Sequence, residues 1–194
     1  MTNPRTPDHP IDPIFVQRWS PRAFEPAAMP ERDLLRALEA ARWAPSAYNV
    51  QPWRFLYALR GDAHWDAWLE LLAAGNREWA RNASALVFVV SDTLLRYQGE
   101  ETPSRSHSFD TGAAWAQLAL QAAKLGYHAH GIGGLDYERA REVLGVPEGY
   151  AVEMAAAIGR RASPDTLPEA LREREHPSAR RPTTESAFRG GFPR

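Results

Sequence analysis

The sequence has no cysteine, which excludes disulfide bonds, thiolate metal ligands, iron–sulfur clusters and cysteine nucleophiles. It also has no apolar run near the roughly 20 residues that a membrane-spanning helix requires. The first residues lack the basic-then-apolar order of a signal peptide. We therefore expect a cytoplasmic protein that does not associate with a membrane.

A strong net charge is missing as well. The 23 basic and 24 acidic side chains leave a formal net charge of −1, so we expect no bulk attraction to nucleic acid. Lysine is nearly absent, since Lys124 is the single lysine among the basic residues. The sequence also contains no G-x-S-x-G, H-E-x-x-H or Walker motif, which removes the common hydrolase and phosphate-loop signatures.

The remaining composition is that of one globular domain. With 194 residues, of which 44% are hydrophobic and 24% charged, the chain is long enough for one core and short for two. We expect a single domain over residues 1–194, with a loose N-terminal stretch at 1–10. Residues from about 165 to 194 show little apolar periodicity. Such a tail is either disordered or held by something outside its own fold.

Hydrophobic periodicity predicts alternating helices and strands. Residues 96–108 are polar and aperiodic, which favours a loop. Asp110 is placed to cap the helix that follows it. This order predicts an α/β or α+β sheet sandwiched by helices. The predicted helices cover 30–42, 62–73, 110–126 and 137–144, and the predicted strands cover 53–59, 85–90, 128–132 and 152–158.

The segment 18–24 is the first candidate binding element. Pro21 keeps it out of a helix, and in an extended segment alternate residues share a side. Arg18, Ser20 and Arg22 then point one way and Trp19 the other. Two guanidinium groups and a hydroxyl on one side suit a phosphate dianion. The alternative is a solvated arginine pair on a surface strand.

The segment 45–53 is the second candidate. It lacks a regular pattern and is rich in amide side chains, which present a donor and an acceptor together and suit the edge of a polar heterocycle. The alternative is a turn held by its own side chains, which is common for serine, asparagine and proline.

The third candidate, 128–136, follows a strand and precedes a helix. A dinucleotide-binding fingerprint fails here because Asp136 stands where its third glycine is needed. Gly133 and Gly134 still permit close approach of backbone amides to a flat ligand. His128 and His130 lack a third metal ligand at suitable spacing, so we expect a packed or hydrogen-bonded pair and no metal site.

Five ordered motifs resemble those of the nitroreductase family of flavin-dependent oxidoreductases and together extend over residues 18–181. Each motif is weak alone, but five in this order over one domain are specific. They are R-x-S-x-R-x-F at 18–24, A-P-S-x-x-N-x-Q-P-W at 44–53, G-N at 75–76, G-G-L-D at 133–136 and R-R-P at 180–182.

The resemblance implies an α+β sandwich, with a central, mostly antiparallel sheet flanked by helices, in an intertwined homodimer. FMN is expected at each of two subunit interfaces, with the arm at about 165–194 wrapping the partner subunit. The resemblance implies three groups of cofactor-binding residues: Arg18, Ser20, Arg22 and Arg180 at the phosphate with Trp19 beside it, Asn76, Gly133 and Gly134 at the flavin ring, and Pro45, Ser46 and Asn49 supplied by the partner subunit.

The implied activity is ping-pong hydride transfer from NADH or NADPH through flavin N5 to an electron-poor small molecule such as a nitroaromatic, a quinone or an unsaturated carbonyl. No side chain is assigned as catalytic, because the cofactor carries the chemistry. Some members carry glutamate where Gly133 stands, so the choice between NADH and NADPH stays open. The alternatives are an FMN carrier or sensor without turnover, a flavin-dependent dehalogenase on the same fold, and an interaction module that binds no flavin.

Overall fold

A computed structural model describes residues 5–193 of the chain. The four predicted helices and four predicted strands occur along it in the predicted order, with further short helices and a strand hairpin added to them. The helices are α1 (Pro13–Gln17), α2 (Glu31–Arg42), α3 (Trp65–Leu69), α4 (Ala74–Ala80), α5 (His107–Lys124), α6 (Tyr137–Val143) and α7 (Glu169–Arg172), and the strands are β1 (Trp53–Leu59), β2 (Ala85–Asp92), β3 (Leu94–Tyr97), β4 (Glu100–Pro103), β5 (His128–Ile132) and β6 (Tyr150–Gly159).

The centre of the molecule is a four-stranded sheet in the order β1-β2-β6-β5, with antiparallel neighbours throughout. Every residue of β2 is buried, which explains the continuous apolar run over residues 85–90. Successive side chains of β2 enter opposite cores: Phe88 packs in one cluster and Val87 in the other. The predicted mixed helix-and-sheet sandwich with an antiparallel sheet is therefore confirmed.

Two predictions around residue 100 are wrong. Residues 96–108 are not a loop, because β3 and β4 pair there as a two-stranded hairpin. Its turn uses Gln98 and Gly99 at φ angles of 51° and 83°, the left-handed conformation that tight hairpin turns require. Asp110 is not a helix cap, because α5 already begins at His107. Instead, Asp110 is buried and accepts hydrogen bonds from Ala47 N and Ser106 Oγ, at 3.1 and 3.0 Å.

The helix predicted at 62–73 is shorter than expected. It spans only α3, because the chain after it turns to form an isolated bridge between Leu72 and Leu135. Three short helices, α1, α4 and α7, are not predicted by the periodicity. The first of them begins at a local signal, since Pro13 is its first residue and the Asp12 side chain accepts a hydrogen bond from Ile14 N at 2.9 Å.

The two ends of the described chain lie against each other. Arg5 Nε donates to Ser178 O at 2.8 Å, and Asp8 accepts from Thr183 N at 2.7 Å. Residues 1–4 of the stretch predicted to be loose lie outside the described residues. The C-terminal segment, which begins at about residue 165, thus contacts its own chain up to Thr183. Its wrapping of a partner subunit stays a prediction. Within residues 5–193, no helix has the length and apolar character needed to cross a membrane.

Candidate functional site

The segment Arg18–Phe24 forms the floor of the candidate site. It leaves α1 and runs beside the end of β6, where Phe24 forms an isolated bridge with Arg161. Trp19 and Phe24 are buried, at 6% and 1% exposure, and anchor the segment in the fold. Arg18 Nη1 donates to Ser20 Oγ at 3.3 Å, so these two side chains share a side as their spacing predicts.

Above this segment lies a cavity of about 380 Å³ whose walls are rich in guanidinium groups. We call it the arginine cavity. It brings together five of the chain's arginines, which come from the N-terminus, the Arg18–Phe24 segment and the C-terminal segment. The lining residues are Arg5, Arg18, Trp19, Ser20, Arg22, His130, Arg174, His176, Ser178 and Arg180.

The arginines in this cavity repel one another. The pKa of Arg18 is lowered by burial and by the nearby charge of Arg180. The pKa of Arg22 is lowered by burial and by Arg174, which together outweigh the opposite effect of Glu175. Positive charge is therefore concentrated here without full compensation, and an anion in the cavity would relieve the repulsion.

His130 adds no positive charge to the cavity. Its Nδ1 donates to Pro21 O at 2.8 Å, and its ring packs on Trp79 with a centroid separation of 4.6 Å. Burial is the main cause that lowers its pKa, to about 4, and the charge of Arg22 adds to the effect. The ring is therefore neutral near pH 7 and behaves as a packed, hydrogen-bonded histidine. Within residues 5–193, no cluster of three potential metal ligands includes it.

Two residues that the sequence patterns do not single out organise this site. Arg5 ties the N-terminal stretch to the floor, because its Nη1 donates to Arg18 O at 2.7 Å. Glu175 is 2% exposed, and its carboxylate accepts from Arg22 N and Ala23 N. Neither has a periodic or motif signal in the sequence, since both stand in polar, irregular stretches.

A second cavity, of about 630 Å³, adjoins the first. We call it the apolar groove. Its walls include four residues of α5, together with Phe15, Met154 and the β5 residues Gly131 and Ile132. Because Arg18 and Ser20 line both cavities, one ligand can place an anionic end among the guanidinium groups and an apolar body in the groove.

The glycines after β5 border this region differently. Gly133 lines the apolar groove, and a Cβ built there would have only Tyr137 Oη within 4 Å, at 3.9 Å. Its surroundings are therefore open to a flat ligand. Gly134 is packed against Asn76, whose Nδ2 donates to Gly134 O at 3.0 Å. A Cβ on Gly134 would lie 2.5 Å from that Nδ2, so a larger residue here would displace the Asn76 side chain.

The segment 45–53 lies apart from both cavities. Ser46 organises it as a turn, since its Oγ accepts from Gln51 N at 3.0 Å and its carbonyl accepts from Asn49 N at 3.0 Å. Tyr48, Asn49 and Gln51 have positive φ angles between 50° and 55°. Within one chain, Pro45, Ser46 and Asn49 are therefore not brought to the arginine cavity, and their supply by a partner subunit stays a prediction.

The assembled residues suit one class of ligand. The arginine cavity fits a phosphate monoester, because several guanidinium groups and the Ser20 hydroxyl converge there. The apolar groove fits a planar ring system, and Gly133 permits close approach of the backbone. A phosphorylated flavin has this distribution of charge and shape, so the residues present fit FMN.

Comparison with known proteins agrees with this geometry. The model of the nitroreductase family matches residues 15–160. A crystal structure described as an oxidoreductase containing FMN superposes with a TM-score of 0.96 at 50% sequence identity, covering 100% of this chain and 98% of the other.

Several curated relatives carry names that describe a reaction. An NADH dehydrogenase of Thermus thermophilus is 30% identical over 172 residues, which cover 74% of this chain and 83% of the relative. A CLA biosynthesis enone reductase of Lactiplantibacillus plantarum is 28% identical over 184 residues, which cover 77% of this chain and 84% of the relative.

Proposed function

The chain belongs to the nitroreductase family, and from this membership we propose how its residues serve the reaction. It is an oxidoreductase that uses FMN and NAD(P)H. Bound FMN supplies hydride transfer at its N5 atom. In the proposed scheme NAD(P)H and an electron-poor acceptor occupy the same place in turn, which gives ping-pong kinetics.

The observation that carries the residue assignment is the arginine cavity. Arg18, Ser20, Arg22 and Arg180 hold the FMN phosphate in this proposal, and Trp19 closes the cavity beside them. Charge-assisted hydrogen bonds from guanidinium groups are the strong contacts that such a dianion forms. The lowered pKa values of Arg18 and Arg22 support the assignment, because a dianion would offset the repulsion that causes part of each shift.

The flavin ring is assigned to the apolar groove, which Gly133 lines. Gly134 and Asn76 line neither cavity and are hydrogen-bonded to each other, and we assign both to the flavin ring on the family motifs. Pro45, Ser46 and Asn49 are assigned to the partner subunit's side of the ring in a homodimer. Two facts support this: the three residues line neither cavity of their own chain, and Pro45 and Asn49 are exposed.

For the acceptor we propose a nitroaromatic, a quinone or an unsaturated carbonyl. The name of the Lactiplantibacillus relative, an enone reductase, supports the last of these. The apolar walls of the groove suit such planar, weakly polar molecules. None of the chain's side chains is assigned as an obligatory acid or base.

A spectrum of the purified protein tests this function. The flavin absorption bands should be present and should bleach when NADH or NADPH is added without oxygen. A yellow protein that neither donor bleaches would identify a carrier or sensor, and a colourless protein that does not take up FMN would refute the cofactor assignment. Initial rates at several donor and acceptor concentrations should give the parallel double-reciprocal lines of a ping-pong order. Intersecting lines would contradict the proposal that donor and acceptor bind at the same place in turn.

A further inference from the structure

Arg174 and Glu175 are consecutive residues of the C-terminal segment that contact the site in different ways. The Arg174 side chain lines the arginine cavity, and the Glu175 carboxylate is buried beneath the cavity floor. We propose that Arg174 is a further phosphate-binding residue and that Glu175 is the positioning residue that docks the C-terminal segment onto Arg18–Phe24. This inference rests on the proposed binding of FMN.

Glu175 holds the two parts of the chain together through the backbone. Its Oε1 accepts from Arg22 N at 2.8 Å and from Ala23 N at 2.9 Å, while its Oε2 accepts from Arg22 N at 3.0 Å. These contacts join residues 153 and 152 positions apart in the sequence. Since a buried carboxylate without such donors is strongly destabilised, burial of Glu175 depends on these contacts with the floor segment.

When Glu175 docks the C-terminal segment, the side chain of the adjacent Arg174 is brought to the arginine cavity. The Arg174 charge is close enough to Arg22 to lower the pKa of that side chain. Among the residues that the structure describes, no acceptor bonds to the Arg174 guanidinium group. A cation held near like charges without a protein acceptor is suited to a ligand anion.

The arrangement couples two equilibria. The phosphate gains Arg174 and Arg180 only when the C-terminal segment is docked, because both residues belong to that segment. By linkage, docking of the segment then strengthens FMN binding, and FMN binding stabilises the docked segment by the same factor.

The phosphate contact is tested by comparing FMN with riboflavin, which has the same ring and no phosphate. Arg174→Ala should weaken FMN binding roughly 10- to 100-fold and leave riboflavin binding unchanged, since one charge-assisted contact to the phosphate is lost. Arg172→Ala is the matched control, because Arg172 donates to Leu167 O at 3.2 Å and lies outside the cavity.

Three results of this titration overturn the assignment of Arg174: unchanged FMN binding, equal weakening of both flavins, or the same loss in Arg172→Ala. A wild-type protein that binds neither flavin would instead refute the proposed function itself, so the two failures are distinguishable.

The positioning role of Glu175 is tested by limited trypsin digestion, read by mass spectrometry at the bonds after Arg172, Arg174 and Arg180. In the wild type, saturating FMN should slow cleavage at these bonds. Glu175→Gln should be cleaved several-fold faster without FMN, because an amide has one acceptor oxygen for the N–H groups of Arg22 and Ala23 and turns its own N–H groups toward that backbone.

Glu173→Gln, an exposed neighbour, is the matched control and should behave as the wild type. The docking proposal is overturned when Glu175→Gln is cleaved at the wild-type rate, or when FMN gives the wild type no protection. Thermal melts of both variants identify general unfolding, and in that case the Arg174 titration decides the proposal, since Arg174 is exposed and its truncation leaves the Glu175 contacts in place.

Discussion

Replacing Arg18 by alanine should move cofactor binding and the stability of the cofactor-free protein in opposite directions. The Arg18 side chain donates to Ser20 Oγ at 3.3 Å, and burial and the charge of Arg180 lower its pKa. Without FMN, its removal costs little hydrogen bonding and relieves repulsion. The free energy of unfolding of the cofactor-free variant should therefore equal or exceed that of the wild type.

With FMN present, the sign reverses. Loss of a charge-assisted contact to the phosphate should cost roughly 1.5–3 kcal/mol, which weakens the dissociation constant about 10- to 150-fold. At an FMN concentration about a hundredfold above the wild-type dissociation constant, ligand binding stabilises the wild type by about 2.7 kcal/mol. A hundredfold weaker variant would gain only about 0.4 kcal/mol at that concentration.

Thermal melts with and without FMN, together with flavin fluorescence titrations, measure both effects. For a domain of this size, the lost stabilisation corresponds to roughly 5–9 °C in the FMN-dependent rise of the melting temperature. Arg181→Ala is the control, because that side chain is 88% exposed and lies outside the arginine cavity. Wild-type FMN affinity in Arg18→Ala would refute the phosphate assignment, and a lower melting temperature without FMN would refute the repulsion argument.

Two further predictions concern packing and pH. Gly134→Ala should lower the free energy of unfolding by about 0.5–1.5 kcal/mol, because its Cβ would displace the Asn76 amide from its hydrogen bond, whereas Gly133→Ala should have no effect in urea unfolding. Because burial lowers the pKa of His130 to about 4, the unfolded chain binds a proton that the folded chain does not between about pH 6.5 and 4. The free energy of unfolding should thus fall by up to about 3 kcal/mol as the pH decreases through this range. If it falls as steeply with pH in His130→Gln, titration of His130 is not the cause.

Strands and long helices were predictable because their signals are local. The predicted strands 53–59 and 128–132 coincide with β1 and β5, and the predicted strand 85–90 lies within β2. In each of these strands, the order of polar and apolar side chains along the segment indicates which residues are buried. The hairpin of β3 and β4 has no such pattern, since β4 is exposed throughout and its register depends on the backbone conformation of Gln98 and Gly99.

The candidate site was predictable where it depends on spacing within one segment or on the family motifs. The extended geometry imposed by Pro21 places Arg18 and Ser20 on the same side, and the motifs point to Arg180 at the other end of the chain. The positions of Pro45, Ser46 and Asn49 relative to a bound flavin stay a prediction, because that placement depends on a second chain.

The amino-acid sequence alone determined the order of helices and strands through periodicity, and the ordered local motifs determined the family and, through it, the antiparallel sheet. The spacing of Arg18, Ser20 and Arg22 likewise predicts a candidate anion-binding segment, which stays a prediction. Only the tertiary structure decided that Arg5, Arg174 and Glu175 belong to the same site. From sequence alone, a charged residue in an irregular polar stretch is predicted to be solvated, even when the folded protein buries it against another segment. Whether Glu175 meets the backbone of Arg22, 153 residues away, depends on how the sheet and helices bring the two ends of the chain together.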